Sequence, residues 1–246
     1  MQTPRPAAAA TEPGGDAASI ARRRPWRYTP WLGGLFIAGI VALAALGIWR
    51  RHANAVAEID RELDALSRVI AEQTARSVQT VDLVLQHVAG EFRSGKLDRL
   101  ADEAALHDYL RDQSAGLVQV AGLSLIDADG RIRASSSRFP QPQPRPDVGA
   151  LPSFQQLKAT ANAGLMVVGT MRGINRPEAW MFPLGRRLER RDGSFAGAIA
   201  AAGRVEYFQN FYRDLRLDAG SAITLLHRDG TVIARYPAVD AALGQR

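Results

Sequence analysis

Nineteen consecutive residues, 31–49, carry no charge and read WLGGLFIAGIVALAALGIW. As a helix rising about 1.5 Å per residue, such a run spans roughly 28 Å, the thickness of a bilayer's hydrocarbon core. Trp31 and Trp49 close it at both ends, where an amphipathic ring suits the membrane–water interface. A cleaved signal peptide has a shorter apolar region and ends at a small-residue cleavage site. Here the run passes instead into Ile48, Trp49, Arg50 and Arg51. We therefore expect residues 31–49 to be a retained transmembrane helix with the lipid bilayer as its partner.

Charge sets the expected orientation. Arg5, Arg22, Arg23, Arg24 and Arg27 precede the run against Glu12 and Asp16, a net +3. After it, Arg50, Arg51 and Arg61 are balanced by Glu58, Asp60 and Glu62. The positive-inside rule puts the N-terminus in the cytoplasm. Residues 1–30 begin with an Ala/Pro/Gly-rich stretch and read as a disordered cytoplasmic tail. No second apolar span follows, so the remainder is expected on the other side, most simply the periplasm of a bacterial inner membrane.

The rest of the 246-residue chain has globular composition, with 46% hydrophobic and 23% charged residues. It contains no cysteine, which excludes disulfides, a Cys nucleophile and Cys-ligated metal. His52, His87, His107 and His227 form no metal-binding spacing, so neither a metal nor another cofactor is expected. No nucleophile elbow, P-loop or Ser-x-x-Lys motif is present, and no catalytic residue is assigned.

Residues 53–92 contain Gly90 but no other Gly and no Pro. Val56, Ile59, Leu63, Leu66 and Ile70 fall at heptad spacing. The seam fades at Gln73, Thr74 and Ser77 and resumes at Val81, Val84 or Leu85, and Val88. One long helix, or two in tandem, is expected. It would pair with a second copy near the membrane and pack on a globular core beyond. Residues 96–112 predict another helix, with Leu97, Leu100, Leu106 and Leu110 on one stripe. A hairpin follows at 117–135, turning at Asp127-Ala128-Asp129-Gly130. After a Pro-rich loop at 141–147, residues 154–161 predict a short helix. Strands are expected at 165–171, 179–188 and 195–202, then a helix at 205–215. A last strand–turn–strand occupies 222–235. Its ITLLHRDGTVIA echoes the earlier LSLIDADGRIRA, as if a second domain of the same kind begins there.

This order is that of a PAS-like extracytoplasmic sensor domain. AEQTARSVQTVDLVLQHVAGEF (71–92), LSLIDADGRIRASS (123–136) and the block from FPLGRRLERRDGSF to GTVIARYP (182–237) resemble the double Cache sensors of bacterial histidine kinases and diguanylate cyclases. The resemblance implies an α+β fold with five parts. These are the tail (1–30), the transmembrane helix (31–49), a long periplasmic signalling helix (50–95), a membrane-distal PAS-like lobe with an antiparallel sheet (96–217), and the start of an incomplete second lobe (218–246). It also implies a small-molecule pocket walled by the sheet, the short helix and the loop before it. In DVGALPSF, Asp147 and Phe154 match the family pattern, whereas Leu151 stands where Arg is expected and Ser153 where Tyr is common. Arg172 and Trp180 correspond to the family's Arg and Trp positions. Asp147, Phe154, Arg172 and Trp180 are thus the candidate ligand-binding residues. Leu151 cannot give the bidentate contacts that a guanidinium makes to a carboxylate.

Three of these have a plainer reading. Asp147 is also placed to cap the short helix, Trp180 to fill core, and Arg172 to lie solvated at a strand end. Arg186, Arg187, Arg190 and Arg191 are interleaved with Glu189 and Asp192 and read as a solvated hairpin edge, not a nucleic-acid surface. Tyr207, Phe208, Phe211 and Tyr212 sit at helical spacing and read as core. The expected function is a membrane-anchored periplasmic input module of a two-component or diguanylate-cyclase system. It would bind a small molecule or partner, act as a homodimer through the long helix, and have no enzyme activity of its own. The alternative is an anchored interaction protein whose lobe docks a protein partner.

Overall fold

The computed structural model describes residues 29–246 apart from 101, 175 and 219. The expected tail lies almost wholly outside them. The chain divides into one unit ending at Ser67 and a second running from Arg68 to Arg246. Helix α1 (Thr29–Arg93) begins in the first and ends in the second. In the first unit, Trp31–His52 has a mean hydropathy of 2.2 with none of it buried. It is the one helix among the described residues long and apolar enough to cross a membrane. Phe36 is 71% exposed, and its neighbours are similarly bare. An apolar helix left open on all sides suits lipid, where no partner chain is needed to cover it.

In the second unit α1 buries one stripe: Val81, Leu85 and Val88 are almost fully covered. The sequence predicts that this stripe fades at Gln73–Ser77. Instead it runs on through Thr74, which is half-buried, and Ser77, which is 8% exposed. The Ser77 hydroxyl can occupy such a position because the helix itself satisfies it. Ser77 Oγ donates to Gln73 O at 2.9 Å, and Ser77 O accepts from Gln119 Nε2 at 3.3 Å.

The helix expected at 96–112 is broken. A 3-10 turn (Leu97–Arg99) precedes α2 (Glu103–Ser114), and Asp102 caps α2 by accepting from Ala105 N at 2.7 Å. Leu97, Leu106 and Leu110 still reach the core. The other elements are β1 (Val120–Asp127), β2 (Ile132–Ser135), α3 (Pro152–Ala159), β3 (Met166–Val167), β4 (Met171–Arg172), β5 (Trp180–Glu189), β6 (Phe195–Arg204), α4 (Val205–Asp214), β7 (Ile223–Leu226) and β8 (Val232–Tyr236). The single strand expected at 165–171 is two short strands on β5. Between them Thr170 Oγ1 turns away and donates to Val232 O at 3.0 Å, and the register slips by one residue.

The antiparallel sheet runs β2-β1-β6-β5-β3, with β4 also on β5; β7 and β8 form a separate pair. Side chains alternate across β5 and β6. Phe182, Leu184, Leu188 and Ile199 face the principal core with α1 and α2, joined by Val205, Phe208 and Tyr212 of α4 and by Ile233 and Leu243. Ile126, Ile132, Val148, Phe154, Leu157 and Ala198 form a smaller cluster on the opposite face, under α3. Two glycines let β6 fit between its neighbours. A Cβ at Gly197 would lie 2.1 Å from Ile126 O, and one at Gly203 would lie 2.6 Å from the Phe182 ring.

Two of the arginines read as a solvated hairpin edge are not solvated. Arg186 makes a two-pronged pair with Asp82 of α1 (Nε–Oδ1 2.5 Å, Nη2–Oδ2 3.0 Å). Arg187 has a side chain only 9% exposed. Arg190 and Arg191 do lie exposed in the β5–β6 turn. The hydrogen bond from Arg186 holds the Asp82 carboxyl below its ordinary value of 3.8. A lowered folded value means that the pair stabilises the lobe fully above the ordinary value. That contribution disappears as pH falls through the folded value. Asp82→Asn should therefore lower stability by about 1–3 kcal/mol at neutral pH. In thermal unfolding followed by circular dichroism this is a Tm drop of roughly 3–8 °C. The gap between variant and wild type should shrink only in strong acid. A gap unchanged in strong acid would rule out the ion pair as its source.

Candidate functional site

The clearest cavity opens on the α3 face of the sheet. Strand β6 presents Ala198, Ala200 and Ala202 to this side and β5 presents Met181, Pro183 and Gly185. Three methyl groups in a column cannot fill the space that α3 spans, so a cavity of about 200 Å³ remains. Phe154, Leu157 and Leu151 close it from α3 and its N-terminus, and Ile132 and Val148 close it from the β2 side. Met166, Val168, Met171 and Ile174 complete the apolar wall. Its polar lining includes Ser124, Ser137 and Ser153 and three arginines, Arg138, Arg172 and Arg176. Among the described residues no Asp or Glu lines it.

The four candidate residues separate. Phe154 and Arg172 line the cavity, as do Leu151 and Ser153, the two departures from the family pattern. Asp147 is not among the lining residues. It does not cap α3 either: Leu151 holds the N-cap position without a side-chain bond, and Pro152 opens the helix. Asp147 Oδ1 instead accepts from Gly149 N at 2.7 Å, shaping the loop two residues on. Trp180 also lies off the cavity. It shares strand parity with Phe182 and Leu184 and packs half-buried on the principal core. Arg172 lies directly opposite Trp180 in the β4–β5 register, so its side chain shares the Trp180 face although the residue borders the cavity. Its guanidinium carbon stands 4.0 Å from the Trp180 ring centroid, and Nη1 donates to Glu178 O at 2.8 Å.

Sequence reasoning did not find the alanine column or the second and third arginines. The alternation of large and small residues in β5 and β6 carried a signal for the first. It also did not find how α3 is held. Arg187 reaches the helix C-terminus, donating to Leu157 O at 2.9 Å and Lys158 O at 2.6 Å. A cation there satisfies carbonyls that have no helical partner. The same guanidinium pairs with Glu189 Oε1 at 3.0 Å, and Glu189 Oε2 pairs with Arg93 of α1 at 2.8 Å. Glu189 is therefore the junction between the cavity helix and the end of α1.

Residues 205–246 match a family model described as a histidine kinase sensor domain, of double Cache type. Among solved structures, the fold is similar to the extracellular domain of rpHK1S-Z16, a chain assigned as a histidine kinase. The TM-score is 0.68 at 28% identity, covering 78% of this chain and 75% of that one. It is also similar to the ligand-binding domain of the Pseudomonas fluorescens chemoreceptor CtaA in complex with L-serine (TM-score 0.57, 15% identity, 76% of each chain). A Campylobacter jejuni chemoreceptor domain in complex with 4-methylisoleucine gives TM-score 0.51 at 13% identity, covering 70% of each chain. No curated protein matches the sequence. The folded unit thus has the α+β fold of Cache-type sensor domains, the class that histidine kinases and chemoreceptors carry.

If Arg187 holds α3 in place, Arg187→Met should free it. Loss of two charge-assisted hydrogen bonds predicts at least tenfold faster amide hydrogen exchange in residues 152–159, with β1 and β6 unchanged. Equal exchange in variant and wild type would show that apolar packing alone holds the helix.

Proposed function

We propose that this chain is the signal-input part of a membrane-anchored receptor, with α1 crossing the bilayer once and the lobe outside the cytoplasm. The observation that carries the reading is the apolar cavity between the sheet and α3, in a fold whose solved relatives include ligand-bound chemoreceptor domains. A small molecule entering the cavity would press on Leu151, Phe154 and Leu157. Because Arg187, Glu189 and Arg93 tie α3 to α1, a shift of α3 would be felt by α1. A ligand can only bias such an equilibrium by binding one arrangement better than the other. The output would be a kinase or cyclase activity, as the sequence resemblance implies, with residues 218–246 as the first hairpin of a second lobe.

The full chain in lipid nanodiscs, screened by thermal shift against amino acids, organic acids, amines and nucleobases, should show one saturable class of ligand. Ala200→Leu, which fills the cavity, should abolish the shift without lowering Tm. Glu189→Gln should leave affinity within about threefold. It should also remove the ligand-dependent change in hydrogen exchange at residues 81–93. A screen flat for wild type, or a shift that survives Ala200→Leu, would end the reading and favour a lobe that docks a protein.

The receptor is proposed to work as a homodimer through α1. Val69 and Leu83 stand exposed there two heptads apart, at 61% and 58%. The chain has no cysteine, so Leu83→Cys supplies a single reporter. Oxidation in nanodiscs should give a covalent dimer, and Ser194→Cys, exposed in the β5–β6 turn away from this face, should not cross-link to the same extent. Equal yields at both positions would indicate random collision.

A further inference from the structure

A second cavity lies where α1 ends, beside the turns of the β1–β2 and β5–β6 hairpins. We propose that it binds a soluble phosphate monoester bearing hydroxyl groups, of the sugar-phosphate class, at a site separate from the α3 cavity. It holds about 590 Å³, a volume typical of small-molecule sites. Its floor is Phe92 of α1 with Leu125 and Ala196, at the edge of the principal core. Its rim carries Arg93, Arg133, Arg190 and Arg191 with Asp127 and Asp129.

Two strand irregularities build it. Leu125 pairs with Ala134 but Ile126 pairs with Ile132, so Arg133 is an extra residue on β2. Leu188 pairs with Gly197 but Glu189 pairs with Phe195, so Ala196 is an extra residue on β6. A bulge re-aims the side chain it carries. One bulge puts a guanidinium in the cavity wall, and the other leaves only a methyl group on the floor.

The arginines differ in what neutralises them. Arg93 is paired with Glu189, so its charge is met. Arg190 Nη1 donates to Phe195 O at 2.8 Å, and Arg191 Nη2 donates to Ser94 O at 2.9 Å. A carbonyl fixes a guanidinium in place but leaves its charge uncompensated and other N–H groups free to donate. Arg133 is half-buried and, among the described residues, makes no hydrogen bond, ion pair or ring contact. A charge drawn partly out of water without a partner is unfavourable, and an anion in the cavity would relieve it. Three such guanidiniums suit a phosphate, with three terminal oxygens and two charges, better than a carboxylate. The aspartates do not take that place. Asp127 Oδ1 accepts from Asp129 N at 3.0 Å and Arg131 N at 2.9 Å, within its own turn. The exposed Asp129 carboxylate has no partner among the described residues and can accept hydroxyl groups, with Phe92 beneath an apolar sugar face.

The test uses the full chain in phosphatidylcholine nanodiscs, titrated calorimetrically at constant ionic strength. The probes are glucose 6-phosphate, inorganic phosphate, glucuronate and glucose. Glucose 6-phosphate should saturate one site per chain, about tenfold more tightly than inorganic phosphate or glucuronate, and glucose should not bind. Arg133→Gln should weaken it about tenfold or more without lowering the Tm of the unliganded chain, because that side chain has no partner to lose. Should this variant fail to fold, Arg190→Gln, in the exposed turn, gives the same comparison. Asp129→Ala should narrow the preference for glucose 6-phosphate over inorganic phosphate. Ala200→Leu, which fills the α3 cavity, should change none of these affinities. Inorganic phosphate or glucuronate binding as tightly as glucose 6-phosphate would overturn the ligand class. Binding that survives in both arginine variants, that Ala200→Leu abolishes, or that never saturates would overturn the site. None of these results bears on whether the α3 cavity takes a ligand of its own.

Discussion

The alternation of β5 and β6 divides this lobe into two unlike faces, and the rest of its architecture follows from that division. On one face Phe182, Leu184, Leu188 and Ile199 are large and meet α1 and α2 in a dry core. On the other, Ala198, Ala200 and Ala202 are small, and α3 bridges them without filling the space. Close packing against the helices stabilises the lobe; incomplete packing under α3 leaves room for a ligand. Both come from the same two strands because a strand sends successive side chains to opposite sides.

The cavity on one face of the sheet and α1 on the other are physically connected. The connection runs around the end of β5. Arg187 contacts the last carbonyls of α3, Glu189 receives Arg187 on one oxygen and Arg93 on the other, and Arg93 belongs to α1. Further along, Asp82 and Arg186 fasten α1 to the same strand. These pairs are partly shielded from solvent, so they are less screened than ordinary surface ion pairs. Partly buried arginines are costly unless paired. Each of these has its partner on an element that the lobe must hold in place.

Similarity to ligand-bound chemoreceptor domains gives the architecture a precedent, and the lining residues give it an individual chemistry. Substitution of a hydrophobic side chain at Leu151 enlarges the apolar wall. The absence of acidic lining residues among those described, together with three arginines, sets the sign of the electrostatics. The fold is carried by strand order and core pattern, and the character of the cavity by a few side chains around it.

Periodicity made much of the fold legible. The uncharged run at 31–49, the long helix, both hairpins and the aromatic face of α4 follow from spacing, because apolar side chains must leave water together. Periodicity did not fix what satisfies a polar group at a core position. Ser77 continues a buried stripe because its hydroxyl donates back to Gln73 O, and Gln119, distant in sequence, reaches its carbonyl. It also did not fix on which side of the sheet a candidate lies. Phe154 reaches the cavity, whereas Arg172, at its border, stacks on Trp180, which packs on the principal core, and Asp147 is engaged in its own loop. By itself the sequence determined most of the helices and strands, since these depend on local spacing and turn chemistry, and its ordered short motifs carried the resemblance to a class of domain. Only the tertiary structure decided that four arginines between Arg186 and Arg191 divide into interior pairs and a turn. It also decided that three alanines face a void, because both depend on which distant elements lie opposite.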